Sequence, residues 1–373
     1  VAPAEYKPLF PPTLPVKRLP STYARRREVA IGSVTIGGDN AVAVQSMTNT
    51  DTSDVDATVA QIRRLEEVGC EIVRVAVPDR RSAEALPAIK EAISLPLVAD
   101  IHFNPELALA ALEAGVDKLR LNPGNISTRE RLEPIARELA RRGTPVRVGA
   151  NAGSIPSDLK LVYERDPVAA IVQGAHRYVE MLQEFGVSDI VVALKSSDVP
   201  TTVESYRKFA SECDLPLHIG ITEAGPGITG AARSAVGIGI LLTEGLGDTL
   251  RVSISGDPVD EITVCREILS CLGLARAPRL IACPTCARAE FDVPAVAERI
   301  RGELMKLQRP VTVAVMGCVV NGPGEAEEAD LGLVGSGGKF VLYVRGKMAA
   351  KDLELDEAVQ RLITKIDSME TAP

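Results

Sequence analysis

The apolar positions of this chain fall into two alternating patterns. Short runs of Val, Ile and Leu recur along the first two-thirds, each followed by a stretch whose apolar residues return every three or four positions. The first pattern suits a strand buried on both faces, the second an amphipathic helix. Eight strands are predicted, over residues 42–47, 72–77, 97–102, 118–121, 146–149, 190–194, 217–221 and 250–254. In the first helix Val55, Val59, Ile62 and Leu65 share a face, and Asn104-Pro105 opens the third with a capping residue and a proline at the first helical position. The last helix runs over about residues 259–272. Glu67-Val68-Gly69-Cys70, Glu113-Ala114-Gly115-Val116 and Glu184-Phe185-Gly186-Val187 each end a helix on glycine and lead into the next strand.

Strict β–α alternation predicts a parallel sheet, and eight units favour closure into a (β/α)8 TIM barrel over an open doubly wound sheet. The barrel is expected over residues 27–273, behind a Pro-rich extension over 1–26. Residues 29–36 with the Gly37-Gly38-Asp39-Asn40 turn are expected to form a hairpin plugging the barrel's bottom. The rhythm changes after Gly273. Residues 274–282, with Pro278, read as a linker, and 283–373 as a smaller α+β domain. Its predicted strands lie at 311–315 and 340–344, its helices near 294–307 and 354–367. The length of 373 residues accommodates a barrel of about 250 plus such a module.

Composition narrows the function. A net charge of −8 argues against general nucleic-acid binding, and the 3% aromatic content with no Trp argues against single-strand stacking. Seven cysteines, four of them on or just after helical stretches, do not suit a secreted disulfide framework. The N-terminal stretch, broken by Pro3, Pro8, Pro11, Pro12, Pro15 and Pro20, does not read as a signal peptide. The most apolar segment, residues 231–242, is interrupted by Arg233, so no membrane span is expected. A cytoplasmic location follows as the expectation.

A buried barrel strand should be nearly continuous hydrocarbon, yet five of the eight carry a cation: Arg74, Arg120, Arg147, Lys195 and Arg251. Burying an unpaired charge is costly, so these residues need anionic partners. Carboxylates such as Asp100 or Glu223 could serve one or two of them, but the strands hold too few acids for five. A phosphate-rich ligand at the C-terminal mouth answers the count. Other polar residues fall where the mouth should be: Asp100, His102, Asn122, Asn151, Ser154, Ser196, Glu223 and Ser253. Asn and Ser are also ordinary turn and cap residues. His176 sits mid-helix and reads as structural. Gly225-Pro226-Gly227 with Gly230 suits either a phosphate cradle or tight loop packing.

Cys283-Pro284-Thr285-Cys286 is a CxxC, shared by zinc sites, redox pairs and iron–sulfur clusters. Cys318 follows a predicted strand and begins a Gly-rich turn. A structural zinc site wants four Cys or His ligands, and the C-terminal domain offers three cysteines and no histidine. A [4Fe–4S] cubane accepts three thiolates and a weaker fourth ligand, for which Glu325 is the candidate. Zinc and a thioredoxin-like dithiol remain the alternatives. Cys70, Cys213, Cys265 and Cys271 read as core. Gly335-Ser336-Gly337-Gly338-Lys339 lacks the spacing of a nucleotide-binding loop.

These residues together resemble one family, the 4-hydroxy-3-methylbut-2-enyl diphosphate synthases of the non-mevalonate isoprenoid route, in their two-domain bacterial form. The matching stretches are Val44-Gln45-Ser46-Met47-Thr48-Asn49-Thr50, Ala99-Asp100-Ile101-His102-Phe103, Leu119-Arg120-Leu121-Asn122-Pro123-Gly124-Asn125 and Arg147-Val148-Gly149-Ala150-Asn151. Thr222-Glu223-Ala224-Gly225, Cys283-Pro284-Thr285-Cys286 and Gly317-Cys318-Val319-Val320-Asn321-Gly322-Pro323-Gly324-Glu325 complete them. The resemblance implies an oxidoreductase that opens the ring of 2-C-methyl-D-erythritol 2,4-cyclodiphosphate and removes a hydroxyl as water, with two electrons. It implies that the five cations hold the diphosphate and that Cys283, Cys286, Cys318 and Glu325 ligate the cluster, Glu325 leaving so that a substrate oxygen binds the free iron. Flavodoxin or ferredoxin would be the electron donor. Glu223 is the candidate for proton delivery.

Topology adds an expectation about assembly. The last barrel helix should end at the bottom face, and the linker extends at most about 30 Å, roughly the height it must climb. The cluster domain is therefore expected to cap the mouth of a second subunit, in a head-to-tail homodimer with composite sites, as in the family it resembles. The rival readings are a zinc-stapled barrel enzyme acting on a sugar phosphate and a non-catalytic iron–sulfur sensor.

Overall fold

The computed structural model describes residues 18–126, 128–304, 307 and 310–368. The Pro-rich extension falls largely outside the described residues. Those described divide into two compact units, one ending at Ala275 and the other beginning at Arg276.

The first unit opens with an antiparallel hairpin, β1 (Val29–Ile31) and β2 (Val34–Ile36). Eight parallel strands follow: β3 (Ala43–Met47), β4 (Ile72–Val77), β5 (Leu97–Ile101), β6 (Lys118–Leu121), β7 (Val146–Asn151), β8 (Ile190–Lys195), β9 (His218–Ile219) and β10 (Thr249–Leu250). Their order is β8-β7-β6-β5-β4-β3-β10-β9. The ends of that row meet through one bridge between Val192 and Leu217, which makes a nearly closed TIM barrel. The last two ladders are shorter than the predicted 217–221 and 250–254. Arg251 N still donates to Ile219 O at 3.1 Å, but Gly220 passes so close that a Cβ there would lie 2.3 Å from the Arg251 carbonyl oxygen. The segments stay in contact without the regular ladder spacing.

Around the barrel lie α1 (Val55–Glu67), α2 (Arg80–Ala92), α3 (Pro105–Glu113), α4 (Arg129–Arg142), α5 (Lys160–Arg165), α6 (Pro167–Glu184), α7 (Val199–Glu212), α8 (Gly227–Thr243) and α9 (Pro258–Cys271). Six of them start on a side-chain cap, from Asp54, Asp79, Asn104, Asp166, Asp198 or Asp257. Of the predicted face of α1, Val59, Ile62 and Leu65 are buried in the core and Val55, half-buried, packs against it. Val29, Ile31 and Ile36 of the hairpin pack on Ala43, Ile72, Val98 and Val191 at the lower ends of the strands. The plug therefore exists, but its turn falls at Gly32-Ser33, because Ile31 pairs with Val34; Gly37–Asn40 form a separate turn after it.

The second unit is a five-stranded mixed sheet in sequence order: β11 (Arg279–Ala282), β12 (Thr312–Met316), β13 (Leu331–Ser336), β14 (Lys339–Val344) and β15 (Lys347–Leu353). The first three run parallel and the last three form antiparallel pairs. Helices α10 (Val293–Leu304) and α12 (Leu355–Ser368) contribute Val296, Ile300, Leu362 and Ile366 to its core, and the short α11 (Gly322–Glu328) follows β12. Residues 279–282, read from the sequence as linker, are edge strand β11, since Arg-Leu-Ile-Ala finds a parallel partner in β12. Strands β13 and β15 were absent from the prediction. The Gly337-Gly338 pair is the two-residue turn joining β13 to β14, with φ of 63° and 78°, which only a residue without Cβ adopts freely.

Candidate functional site

The parallel register carries the five predicted cations into the barrel. Arg120 pairs with Arg147 and with Asp100 on adjacent strands, so these residues point to one side of the sheet. Asp100 is the hub of this arrangement. Its carboxylate accepts from Arg120 Nη1 at 2.9 Å and lies 3.6 Å from Arg74 Nε and 3.4 Å from His102 Nε2. Burial alone would raise its pKa, but Arg74, His102 and Arg120 hold the carboxyl well below the usual range. Arg74 also points two nitrogens at the Met47 sulfur, and its pKa is pushed down to about 10 by burial and by its cationic neighbours Arg251 and Arg120.

Arg251 is held bidentately, by Nε and Nη2 donating to Glu261 at 3.1 and 3.0 Å. Glu261, in the first turn of α9, also accepts from Ser46 Oγ and Ile254 N. The acid serving Arg251 is thus Glu261, which sequence reading missed because it lies on a helix. Glu223 is exposed and makes no ion pair among the described residues. Its φ of 52° is the left-handed conformation that costs a side chain energy, as is Phe103's 60° beside His102.

Arg147, Lys195 and Lys118 have no carboxylate partner among the described residues. Arg147 is 3% exposed, with Nε and Nη1 buried and unbonded. Burial, then the charges of Arg74 and Arg120, push its pKa well down. Lys195 is depressed in the same way by burial and then by Arg147, Arg251, Arg74 and Arg120. Lys118, fully buried at the start of β6, was overlooked beside Arg120; its Nζ donates to Gln45 Oε1 at 3.3 Å. His218, also fully buried, contacts the Thr249 hydroxyl through Nδ1 and leaves Nε2 unbonded. Burial and the surrounding lysines and arginines keep its ring neutral. The signal for Lys118 and His218 was their place in buried strands on the same face as the residues singled out.

Space for these side chains comes from two glycines. A Cβ at Gly149 would lie 3.0 Å from Arg120 Nε, and one at Gly220 2.7 Å from Lys195 Nζ. Around the rim, Asn122 Nδ2 donates to Ser154 Oγ at 2.8 Å, and His102 contacts both Arg120 and Asn125 at 2.6 Å. Asn151 ends β7, Ser253 is half-buried beyond Arg251, and the Ser196 hydroxyl accepts from Asp198 N at the start of α7. At Gly230 a Cβ would meet the Gly225 carbonyl at 2.3 Å, so the glycines there serve close packing at the start of α8. His176 bonds Glu212 and stacks on Phe209, as a structural residue does.

In the second unit, Cys283 directly follows β11 and Cys318 lies two residues past β12, at the same end of adjacent parallel strands. Gly317 N donates to Cys283 Sγ at 3.1 Å, the kind of bond that stabilises a thiolate. All three cysteines are free, with Cys286 exposed and the other two half-buried. Glu325 lies exposed in the first turn of α11, seven residues beyond Cys318. Among the described residues no three Cys, His, Asp or Glu converge as tightly as a single metal ion demands. The donor set suits a cluster, in which each thiolate binds a different iron. Of the other four cysteines, Cys70 and Cys265 are buried, with thiols pushed up to about 12 by burial, and Cys213 is half-buried. Cys271 is exposed at the end of α9, contrary to its reading as core. No helix among the described residues is long and apolar enough to cross a membrane.

Two family descriptions match the chain: the GcpE TIM-barrel domain over residues 26–266 and the GcpE protein C-terminal domain over residues 279–368. A curated protein of Geobacillus thermodenitrificans, named 4-hydroxy-3-methylbut-2-en-1-yl diphosphate synthase (flavodoxin), is 50% identical over 347 residues, 93% of this chain and 92% of that one. A Bacillus cereus protein of the same name is 47% identical over 344 residues, 92% of this chain and 93% of its own.

Proposed function

The chain belongs to the GcpE family, and from that premise we propose that it is a 4-hydroxy-3-methylbut-2-en-1-yl diphosphate synthase acting in isoprenoid biosynthesis. Its substrate is 2-C-methyl-D-erythritol 2,4-cyclodiphosphate. Two electrons and a proton break the bond from the ring carbon to a phosphate oxygen, release the neighbouring hydroxyl as water and leave a carbon–carbon double bond. Reduced flavodoxin, named in the curated relatives, supplies the electrons.

The observation that carries this reading is a charge imbalance. Six cations lie inside the barrel, Arg74, Lys118, Arg120, Arg147, Lys195 and Arg251, and among the described residues only two carboxylates, Asp100 and Glu261, pair with them. Each phosphate of the cyclic substrate carries one negative charge, and ring opening frees a further phosphate oxygen. The surplus cations neutralise the bound dianion and then the charge that develops on the leaving oxygen, which lowers the barrier to its departure. Asp100 holds Arg74, Arg120 and His102 in place, and Glu261 holds Arg251, so their donors are set before the ligand arrives. Asn122, Asn151, Ser154, Ser196 and Ser253 line the rim and offer hydrogen bonds to the sugar carbons' oxygens. Glu223, at the mouth in a strained conformation, delivers the proton that completes the water; Glu223→Gln with full turnover would remove it from that role.

Cys283, Cys286, Cys318 and Glu325 would hold a [4Fe–4S] cluster, which supplies one-electron transfer to the substrate. Protein purified without oxygen should contain about four irons and four sulfides per chain, lost in Cys318→Ser. With reduced flavodoxin it should convert the cyclodiphosphate to the allylic diphosphate. Bound substrate without product would leave only a sensor. Zinc in place of iron would favour a zinc-stapled barrel enzyme acting on a sugar phosphate without redox chemistry.

For the assembly, the short connection between barrel and cluster domain supports a head-to-tail homodimer with shared sites. Mixing an Arg120→Ala chain with a Cys318→Ser chain should restore part of the activity. Two dead chains that stay dead on mixing would overturn the shared site.

A further inference from the structure

Lys118 is the interior cation with no counterpart in the sequence reading of the site. It starts β6, one inward position below Arg120, and none of its surface is exposed. The groups facing it come from several strands of the barrel, while on β5 its register partner is the apolar Val98. Gln45 on β3 accepts its hydrogen bond, and Arg74 on β4 and Arg147 on β7 present positive charge. His218 on β9, itself neutral, lies within reach of the same charges, as does Lys195 on β8. Of the buried carboxylates, Asp100 is engaged by Arg74, Arg120 and His102, Glu261 by Arg251 and Ser46, and Asp248 by Arg18. None of these pairs with Lys118 among the described residues. An ammonium in this position has, among the described residues, one neutral acceptor, no counter-ion and a ring of like charges.

We propose that Lys118 is a proton-accepting member of the anion pocket, neutral in the empty barrel and charged once a multiply anionic ligand enters. An amine is the side chain suited to this, since arginine retains its proton under almost any surroundings and lysine does not. Burial and then the Arg147 and Arg74 charges drive Lys118 well below the ordinary lysine value, in agreement with the geometry. A bound dianion reverses the balance of charge around it. Ligand binding and proton uptake are then linked, and affinity falls as pH rises between the free and bound values, by up to about tenfold per pH unit for each proton. The inference rests on the barrel being the diphosphate pocket, and adds that the pocket sets part of its charge by the arrival of its ligand.

The test is calorimetric titration of the full holoprotein with inorganic trimetaphosphate, a cyclic phosphoric anhydride with permanent charge and no titrating group near neutral pH. Parallel runs near pH 8 in buffers of low and high ionisation enthalpy count the protons taken up. The parent should take up about one proton or more per barrel. Lys118→Arg, charged in both states, should bind with similar affinity and take up distinctly fewer. Lys118→Met should bind about tenfold more weakly and also take up fewer. Full uptake in Lys118→Arg, or none in the parent, would overturn the proposal. A parent that turns over the cyclodiphosphate but binds trimetaphosphate without proton uptake sinks this inference alone; one that binds neither ligand sinks the proposed function with it.

Discussion

Arg147 offers the sharpest separation of stability from function. It is 3% exposed and, among the described residues, has no carboxylate partner and keeps two guanidinium nitrogens without acceptors. Arg147→Met removes a buried charge while retaining an unbranched chain of similar bulk. Each orphaned buried donor weighs about 1–3 kcal/mol against the folded state. Replacement of poorly compensated buried ions by apolar side chains stabilises by about 1–4 kcal/mol, and the methionine loses some packing along the way. The net expectation is a ligand-free barrel more stable by about 1–4 kcal/mol, melting some 2–10 °C higher. With saturating trimetaphosphate the gap should narrow by up to about 2.7 kcal/mol, and reverse where the ligand-free lead is smaller than that. A ligand at a hundred times its Kd stabilises the parent by about 2.7 kcal/mol, whereas the variant, short of a cation, gains much less. Scanning calorimetry with and without the anion provides all four transitions. A variant that melts below the parent without ligand, or shifts as far with it, would refute the claim that Arg147 is held charged against its own fold's interest.

Asp100→Asn should work in the opposite sense, destabilising by about 3–5 kcal/mol because Arg74 and Arg120 lose their shared counter-ion. Since the folded state lowers the pKa of Asp100, its contribution is present above about pH 4 and fades as pH falls further; in Asp100→Asn the acid limb of a denaturation-versus-pH curve should flatten. His218 is kept neutral, so unfolding releases a group that takes up a proton below about pH 6.5. Stability should decline with acid from that point, and His218→Gln should remove that part of the slope. Gly220→Ala sets a methyl against the Arg251 carbonyl and the Lys195 amine, and should weaken trimetaphosphate binding at least about tenfold in the same calorimetric assay. Unchanged affinity would mean that the two cations do not depend on that approach.

The barrel was legible because its helices and strands differ in period and because glycines mark the helix ends. Strands 72–77 and 118–121 match residue for residue, since their apolar runs are bounded by turn residues. The C-terminal sheet was less legible. β13 reads Leu-Gly-Leu-Val-Gly-Ser, where glycine masks the pattern, and β15 carries lysines and an aspartate because five of its seven residues are exposed. Within the site, the cations stood out against apolar neighbours, while their acids did not. Glu261 looks like any acid in the first turn of a surface helix, and only the fold aims it at Arg251. Lys118 was hidden by position, at the very edge of its run, where a lysine usually turns to solvent.

The hairpin beneath the barrel has a consequence for traffic. Val29, Ile31 and Ile36 stopper the lower end, which leaves the mouth as the way in. Whatever enters past His102 and Phe103 must retrace its path, and a spent molecule left inside bars the next. Occupancy is therefore exclusive, and product should inhibit by direct competition with substrate. The tempo of the cycle would then be set by how readily a more highly charged product gives up the cations that drew its precursor in.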